Sequence, residues 1–209
     1  KQAADAAFER IRQLDRVLSD YDPDSELMQL CRQAGTDKKV PVSADLNRVL
    51  GHSLALSRRT EGAFDVTVGP LVKLWRKARR KKQLPTPETL TTARRAVGYQ
   101  HVELDANGPA VRLLQPDMKL DLGGIANAAD EALAAMRKWG VTRALIDAGG
   151  DIVMGEAPPG EEGWRIGIAP LDAKNAPPSR FLTLKNAGIA TSVEAWQFKE
   201  IDGHRYSHI

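Results

Sequence analysis

The spacing of apolar residues changes along the chain, and this change most constrains the fold. In residues 2–18, apolar side chains recur at helical intervals from Ala7 to Leu18, which predicts an amphipathic helix. The second half of the chain carries short apolar runs separated by turn residues, which predicts several short strands. Long helices first and clustered strands later favour an α+β fold over regular βαβ alternation.

Capping residues mark further helices. Ser25 and Ser43 each precede a run with helical spacing, and a side-chain oxygen at such a position accepts a hydrogen bond from the first helical turn. Thr86 or Thr91 serves the same purpose later in the chain, with a proline near the first turn. A last helix is predicted over residues 126–139.

Strands are predicted mainly after residue 100, and turn residues separate them. The tetrapeptide DVTV, residues 65–68, also favours an extended backbone. Asp202-Gly203 predicts a hairpin turn. The later strand segments are HVELDANGPAVRLLQPDMKLDL (101–122), TRALIDAGGDIVMG (142–155), WRIGIAP (164–170), SRFLTLKNAGIATS (179–192) and FKEIDGHRYSHI (198–209).

Composition and charge exclude some classes of protein. No apolar run reaches the roughly 18 residues that a membrane-spanning helix needs. The net charge of +3 says little about partners, but the run RKARRKK, residues 76–82, concentrates six cations. This run fits a phosphate or nucleic-acid contact or a solvated helix end, and we favour the helix end because no nucleic-acid module accompanies it. The single cysteine, Cys31, is expected to be a core residue.

Several acids and a glycine pair are candidates for a binding site. Asp65, Asp121, Asp147 and Asp151 lie among apolar or glycine neighbours, where a carboxylate binds a polar ligand, binds a hard cation or caps backbone amides. Gly123-Gly124 precedes a predicted helix, so the turn either holds an anion or only reverses the chain. DLGGIA lacks the three-glycine spacing of a dinucleotide fingerprint. His208, on a predicted strand, is either a general base or structural.

Four stretches together resemble one family. They are YDPDSEL (21–27), GAFDVTVGPLVKLW (62–75), LDLGGIA (120–126) and ALIDAGGDI (144–152), and the segments GIATS and DGHRYSHI extend the likeness. In order and approximate spacing they are similar to the FAD:protein FMN transferases, the ApbE-type proteins. The resemblance implies a T-fold-like α+β architecture in which helices pack on antiparallel sheets.

The resemblance also implies an activity and a location. Such proteins bind FAD and Mg²⁺ and transfer the FMN part of FAD to a threonine or serine of an acceptor protein, releasing AMP. Their acceptors include membrane redox subunits, and no nucleic-acid partner is expected. Many are exported and anchored as lipoproteins on the periplasmic face of the inner membrane. Lys1 stands where an intact chain would begin with Met, so we expect a processed or trimmed form.

The resemblance assigns roles residue by residue. It makes His208 the catalytic base for the acceptor hydroxyl and the Gly124 carbonyl a metal ligand. The positions that it assigns to FAD binding are Tyr21, Ala63, Phe64, Asp65, Asp121, Asn127 and Ile209.

The chain departs from its relatives at a few positions. Relatives commonly carry Lys, Gly and an aromatic residue where this chain has Asn127, Ala128 and Ala129, and Gly and Asp where it has Val193 and Glu194. These changes keep open a non-catalytic FAD-binding or flavin-carrier protein. The resemblance leaves a further function open, an FAD pyrophosphatase that yields FMN and AMP, as in some members of the family. We expect residues 1–209 to form a single ApbE-type domain that lacks the N-terminal strand and the C-terminal metal-binding segment of relatives.

Overall fold

A computed structural model describes most of the chain, and its residues group into two compact units. The described residues are 1–124, 128–170, 176–191, 198–201 and 203–207. The larger unit comprises residues 13–126, and the second comprises residues 1–12 with 127–209. The expectation of one domain over the whole chain stays a prediction.

Capped helices dominate the first half, as the sequence predicts. The Ser25 hydroxyl accepts the Met28 N–H at 3.1 Å, and the Ser43 hydroxyl accepts the Leu46 N–H at 3.2 Å. Thr86, rather than Thr91, caps the fifth helix. Six α-helices lie in the described residues: α1 (Gln2–Leu18), α2 (Glu26–Cys31), α3 (Ala44–Arg59), α4 (Gly69–Lys81), α5 (Pro87–Arg95) and α6 (Ala128–Arg137). None of these is long and apolar enough to cross a membrane.

Short antiparallel strands dominate the second half, which confirms the α+β prediction. The strands are β1 (Val40–Pro41), β2 (Val102–Leu104), β3 (Ala110–Leu113), β4 (Leu145–Asp147), β5 (Ile152–Met154), β6 (Trp164–Ile168), β7 (Arg180–Leu184), β8 (Ala187–Ile189), β9 (Phe198–Ile201) and β10 (His204–Ser207). They pair in the orders β1-β3-β2, β4-β5-β8, β6-β7 and β10-β9. The predicted hairpin is confirmed, with Gly203 at a φ of 74° between β9 and β10.

The prediction of extended backbone at residues 65–68 is wrong. The Asp65 carboxylate accepts the Thr67 N–H at 2.8 Å, which closes an Asx turn. Val68 then makes one isolated parallel bridge with Lys119 before α4 begins. Local side-chain hydrogen bonding therefore outweighs the β propensity of the two valines and the threonine.

The core of the larger unit anchors the segment that leads into the glycine pair. Leu120 and Leu122 are both buried, so Asp121 between them faces the other way. Cys31 lies in the same core and accepts the Leu120 N–H at its sulfur, at 3.4 Å. Cys31 is 3% exposed, which confirms it as a core residue, and burial raises the pKa of its thiol. The other large buried side chains here are Leu27, Leu30, Leu46, Leu50, Leu54, Val66, Leu113 and Met118.

The second unit has a smaller core of its own. α6 packs its buried Ala129 and Leu133 with Ala144 and Val153 of the β4-β5 region. The Glu131 carboxylate of α6 accepts a hydrogen bond from the Arg10 guanidinium at 2.9 Å.

Gly69 allows a close backbone contact at the start of α4. A Cβ at this position would lie 2.5 Å from the Lys119 carbonyl oxygen. Only a residue without a side chain fits there, so glycine lets α4 begin directly against the segment that carries Asp121.

We expect Gly69→Ala to destabilise the protein by about 1–3 kcal/mol, because the methyl group would force two backbone segments apart. The measurement is the free energy of unfolding from urea titration. Gly51→Ala is the matched control, since its Cβ would meet only Leu104 at 3.9 Å in a helix interior and should be neutral or stabilising. Equal stability of both variants would show that the contact at Gly69 does not constrain the fold.

Candidate functional site

Three segments of the larger unit meet at the guanidinium group of Arg76. Its Nη1 donates to Asp20 at 2.6 Å, and its Nη2 donates to Asp121 at 3.4 Å. The guanidinium carbon also lies 4.4 Å from the centroid of the Tyr21 ring. Two carboxylates and an aromatic face therefore surround one cation, and the side chain remains 39% exposed.

The loop after α1 positions Asp20 and Tyr21. The Ser19 hydroxyl accepts the N–H groups of Tyr21 and Asp22, each at 3.3 Å. The buried Ser25 hydroxyl donates to the Ser19 carbonyl at 2.6 Å, so the cap of α2 also fixes the end of α1. Tyr21 nevertheless exposes 77% of its surface.

The segment before the glycine pair positions Asp121. Its N–H donates to the Val66 carbonyl at 2.8 Å, and its carboxylate accepts the Gly123 N–H at 3.0 Å. A Cβ on Gly124 would lie 3.3 Å from the Phe64 ring, so a small residue suits the turn. The structure thus brings predicted FAD-site residues from the three segments 21–27, 62–75 and 120–126 into one region of the larger unit.

Arg76 is the residue that the sequence interpretation missed. The basic run was predicted to be a solvated helix end, which is confirmed for the exposed Arg80, Lys81 and Lys82 but wrong for Arg76. Partial burial opposes its charge, yet hydrogen bonding and attraction from Asp20, with smaller contributions from Tyr21 and Asp121, raise the pKa of Arg76. One signal could have found it: Arg76 lies seven residues after Gly69, on the same face of α4.

Asp65 has a complete set of partners within its own chain. One carboxylate oxygen accepts the N–H and the hydroxyl of Thr67, at 2.8 and 2.7 Å. The other accepts the Tyr99 N–H at 2.9 Å. The Thr67 hydroxyl in turn accepts the Gly98 N–H at 2.7 Å. Of the alternatives left open for this acid, capping of backbone groups accounts for the bonds from the Thr67 and Tyr99 N–H groups, and its role in FAD binding stays a prediction.

The remaining predicted residues are distributed as follows. Ala63 is exposed and Phe64 half-buried, and Asp147, in the second unit, accepts the Gly150 N–H at 3.0 Å. Asn127, His208 and Ile209 lie outside the described residues. The binding and catalytic roles assigned to all of these positions stay predictions.

The described residues do not by themselves form a magnesium site. No group of three or more His, Cys, Asp or Glu side chains among them could hold a metal ion. The carboxylate of Asp121, which lies nearest the turn, already contacts Arg76 and the Gly123 amide. The Gly124 carbonyl is the one ligand that the resemblance assigns, and that assignment stays a prediction.

The fold and the site define an α+β protein. In its larger unit, the exposed Tyr21 lies against Arg76, and Arg76 pairs with Asp121, the acid that accepts the N–H of the glycine turn. A profile described as the ApbE family matches residues 1–209, so the chain belongs to this family.

Similar proteins include several flavin transferases. The chain is 34% identical over 207 residues to an FAD:protein FMN transferase of Klebsiella pneumoniae (strain 342), covering 93% of this chain and 57% of the relative. It is 32% identical over 221 residues to the Salmonella typhimurium protein of the same name, covering 100% of this chain and 62% of that one. The chain therefore spans about three fifths of the length of these curated relatives.

Solved structures confirm the fold class. The flavin transferase ApbE of Vibrio cholerae has a TM-score of 0.85 at 29% identity, with 99% of this chain and 66% of that chain covered. The ApbE protein of Thermotoga maritima also has a TM-score of 0.85, at 27% identity, with 99% and 67% covered.

We expect Asp65→Asn to destabilise the protein by about 1–3 kcal/mol, because the amide would point a donor at groups that already donate. Urea titration gives the free energy of unfolding. Asp147→Asn is the control, since its carboxylate accepts one hydrogen bond from the described part of the chain, that of the Gly150 N–H, at an exposed position, and the loss of stability should be smaller. Unchanged stability of Asp65→Asn with lost FAD affinity would instead assign this acid to the ligand.

Proposed function

We propose that this chain transfers the FMN part of FAD to a threonine or serine hydroxyl of an acceptor protein and releases AMP. The observation that supports this most directly is the meeting of Tyr21 and Asp121 at Arg76. These two residues are distant in sequence, and the family resemblance assigns each to FAD independently. The names of the relatives agree with the proposal, since the curated proteins are FAD:protein FMN transferases.

The proposed reaction is a phosphoryl transfer in which bonds and protons balance. The acceptor hydroxyl oxygen forms a bond to the FMN phosphorus, and the anhydride bond to the AMP phosphate breaks. The hydroxyl proton passes to His208, and AMP leaves with the bridging oxygen. Positioning and charge stabilisation supply most of the acceleration in such reactions.

The finer parts of the proposal rest on the resemblance. They are the requirement for Mg²⁺, the acceptors among membrane redox subunits, and a periplasmic location with a lipid anchor in the inner membrane. A divalent cation would neutralise pyrophosphate charge, which gives the magnesium requirement a physical reason.

One assay separates the proposed transfer from the two other functions. The chain is incubated with FAD, Mg²⁺ and a threonine-bearing acceptor peptide, and mass spectrometry follows the peptide. We expect the peptide to gain the mass of FMN less water, with AMP released in equal amount and no product when EDTA replaces Mg²⁺. FMN and AMP without labelled peptide would identify a pyrophosphatase, and bound, unchanged FAD would identify a carrier. Either result would overturn the proposal.

We expect His208→Ala to slow transfer by about 10²- to 10⁴-fold, the usual contribution of a general base. FAD affinity, measured by flavin fluorescence, should remain close to that of the unsubstituted chain. His204→Ala is the matched control, because this exposed histidine lies at the start of β10, four residues before His208 in the sequence, and its substitution should leave the rate unchanged. Full transfer by His208→Ala would remove the base assignment.

A further inference from the structure

The Tyr21 ring has an unusual combination of exposure and contact. Its surface is 77% exposed, yet the Arg76 guanidinium covers one face at 4.4 Å from the ring centroid. An exposed tyrosine on a loop ordinarily samples several rotamers, whereas a cation over its face restrains the ring. The Tyr21 ring is therefore both restrained on one face and accessible to solvent.

The guanidinium that restrains the ring is itself held from two sides. Asp20, which lies next to Tyr21 in the sequence, pairs with Nη1 at 2.6 Å. Asp121, which lies just before the glycine turn, is 3.4 Å from Nη2. The planar, forked arginine head can keep both ion pairs and lie against a ring, which a lysine ammonium group cannot do.

We propose that Arg76 is a positioning residue of the flavin-nucleotide site. By fixing Tyr21 from one face, it prepares the ring for stacking on a flat ring of the nucleotide, isoalloxazine or adenine. This inference rests on the proposed function and adds to it a residue outside the set that the family resemblance assigns.

The charge of Arg76 acts in the same direction. Asp20 and Asp121 are both largely shielded from solvent, with side-chain exposures of 19% and 15%. Without the guanidinium, two uncompensated carboxylates would repel the pyrophosphate of an approaching dinucleotide. Arg76 thus orients the Tyr21 ring and offsets the negative charge of Asp20 and Asp121 beside it.

The first test is FAD affinity, measured by flavin fluorescence titration. We expect Arg76→Met to weaken binding about tenfold and Arg76→Lys, which keeps the charge but loses the flat head, about threefold. Arg80→Met is the matched control, because Arg80 lies one turn further along α4 and is exposed; its affinity should equal that of the unsubstituted chain. Unchanged affinity in Arg76→Met, with the fold intact by circular dichroism, would overturn the inference.

The second test asks whether Arg76 acts through Tyr21. In a double-mutant cycle, the loss of affinity caused by Arg76→Met should be smaller in a Tyr21→Leu background, since the ring that Arg76 positions is gone and only its charge contribution remains. An equal loss in both backgrounds would overturn the positioning role. In transfer assays, we expect a raised KM for FAD with an unchanged kcat, whereas lower kcat with unchanged KM would contradict the inference.

These results separate the inference from the proposed function. A chain that binds FAD through Arg76 but transfers no FMN overturns the proposed function alone. If the Arg76→Met variant transfers FMN as fast as the unsubstituted chain at subsaturating FAD, only the inference is overturned. A chain that binds no FAD overturns both.

Discussion

The close backbone contact between the Asx turn at residues 65–68 and residues 119–121 is the constraint on which the site depends. The Asp121 N–H donates to the Val66 carbonyl at 2.8 Å, and Lys119 bridges Val68. The absence of a side chain at Gly69 permits this approach. Because α4 begins at the same point, the distance from Asp121 to Arg76, two turns along the helix, follows from this one contact.

The hydrogen-bond partners of Asp65 and Asp121 distinguish an acid that fixes the backbone from one that can exchange its partner for a ligand. Among the described residues, the Asp65 carboxylate accepts hydrogen bonds from its own turn and from the Tyr99 amide, so it fixes backbone geometry. Asp121 shares its carboxylate between the Gly123 amide and a partly exposed guanidinium. Exchange of such a longer ion pair for a ligand contact costs less than breaking the Asp65 network, which makes Asp121 the better candidate for a changing partner.

Local chemistry made part of this structure predictable from the sequence. Ser25 and Ser43 cap helices as expected, because an N-cap needs only the residues of one turn. The valine-rich turn after Asp65 was mispredicted, since one carboxylate hydrogen bond reversed the preference of the following residues. Helical spacing from Gly69 could place Arg76 on the inner face of α4, but its partners Asp20 and Asp121 are distant in sequence, and a single sequence holds no direct signal for such ion pairs.

The sequence left two roles open for the glycine pair, an anion-binding turn or a simple chain reversal. The structure adds that a carboxylate of the chain itself lies at this turn. The Gly123 amide is already bonded to the Asp121 carboxylate, so an internal anion occupies the donor that a phosphate would need. Asp121 therefore places a negative charge beside the turn, and Arg76 offsets part of it. A carboxylate beside a turn favours nearby cations. If the chain binds FAD as proposed, the pyrophosphate would approach a turn whose Gly123 amide already holds a carboxylate, so positive charge beside the turn, such as that of Arg76, would favour binding.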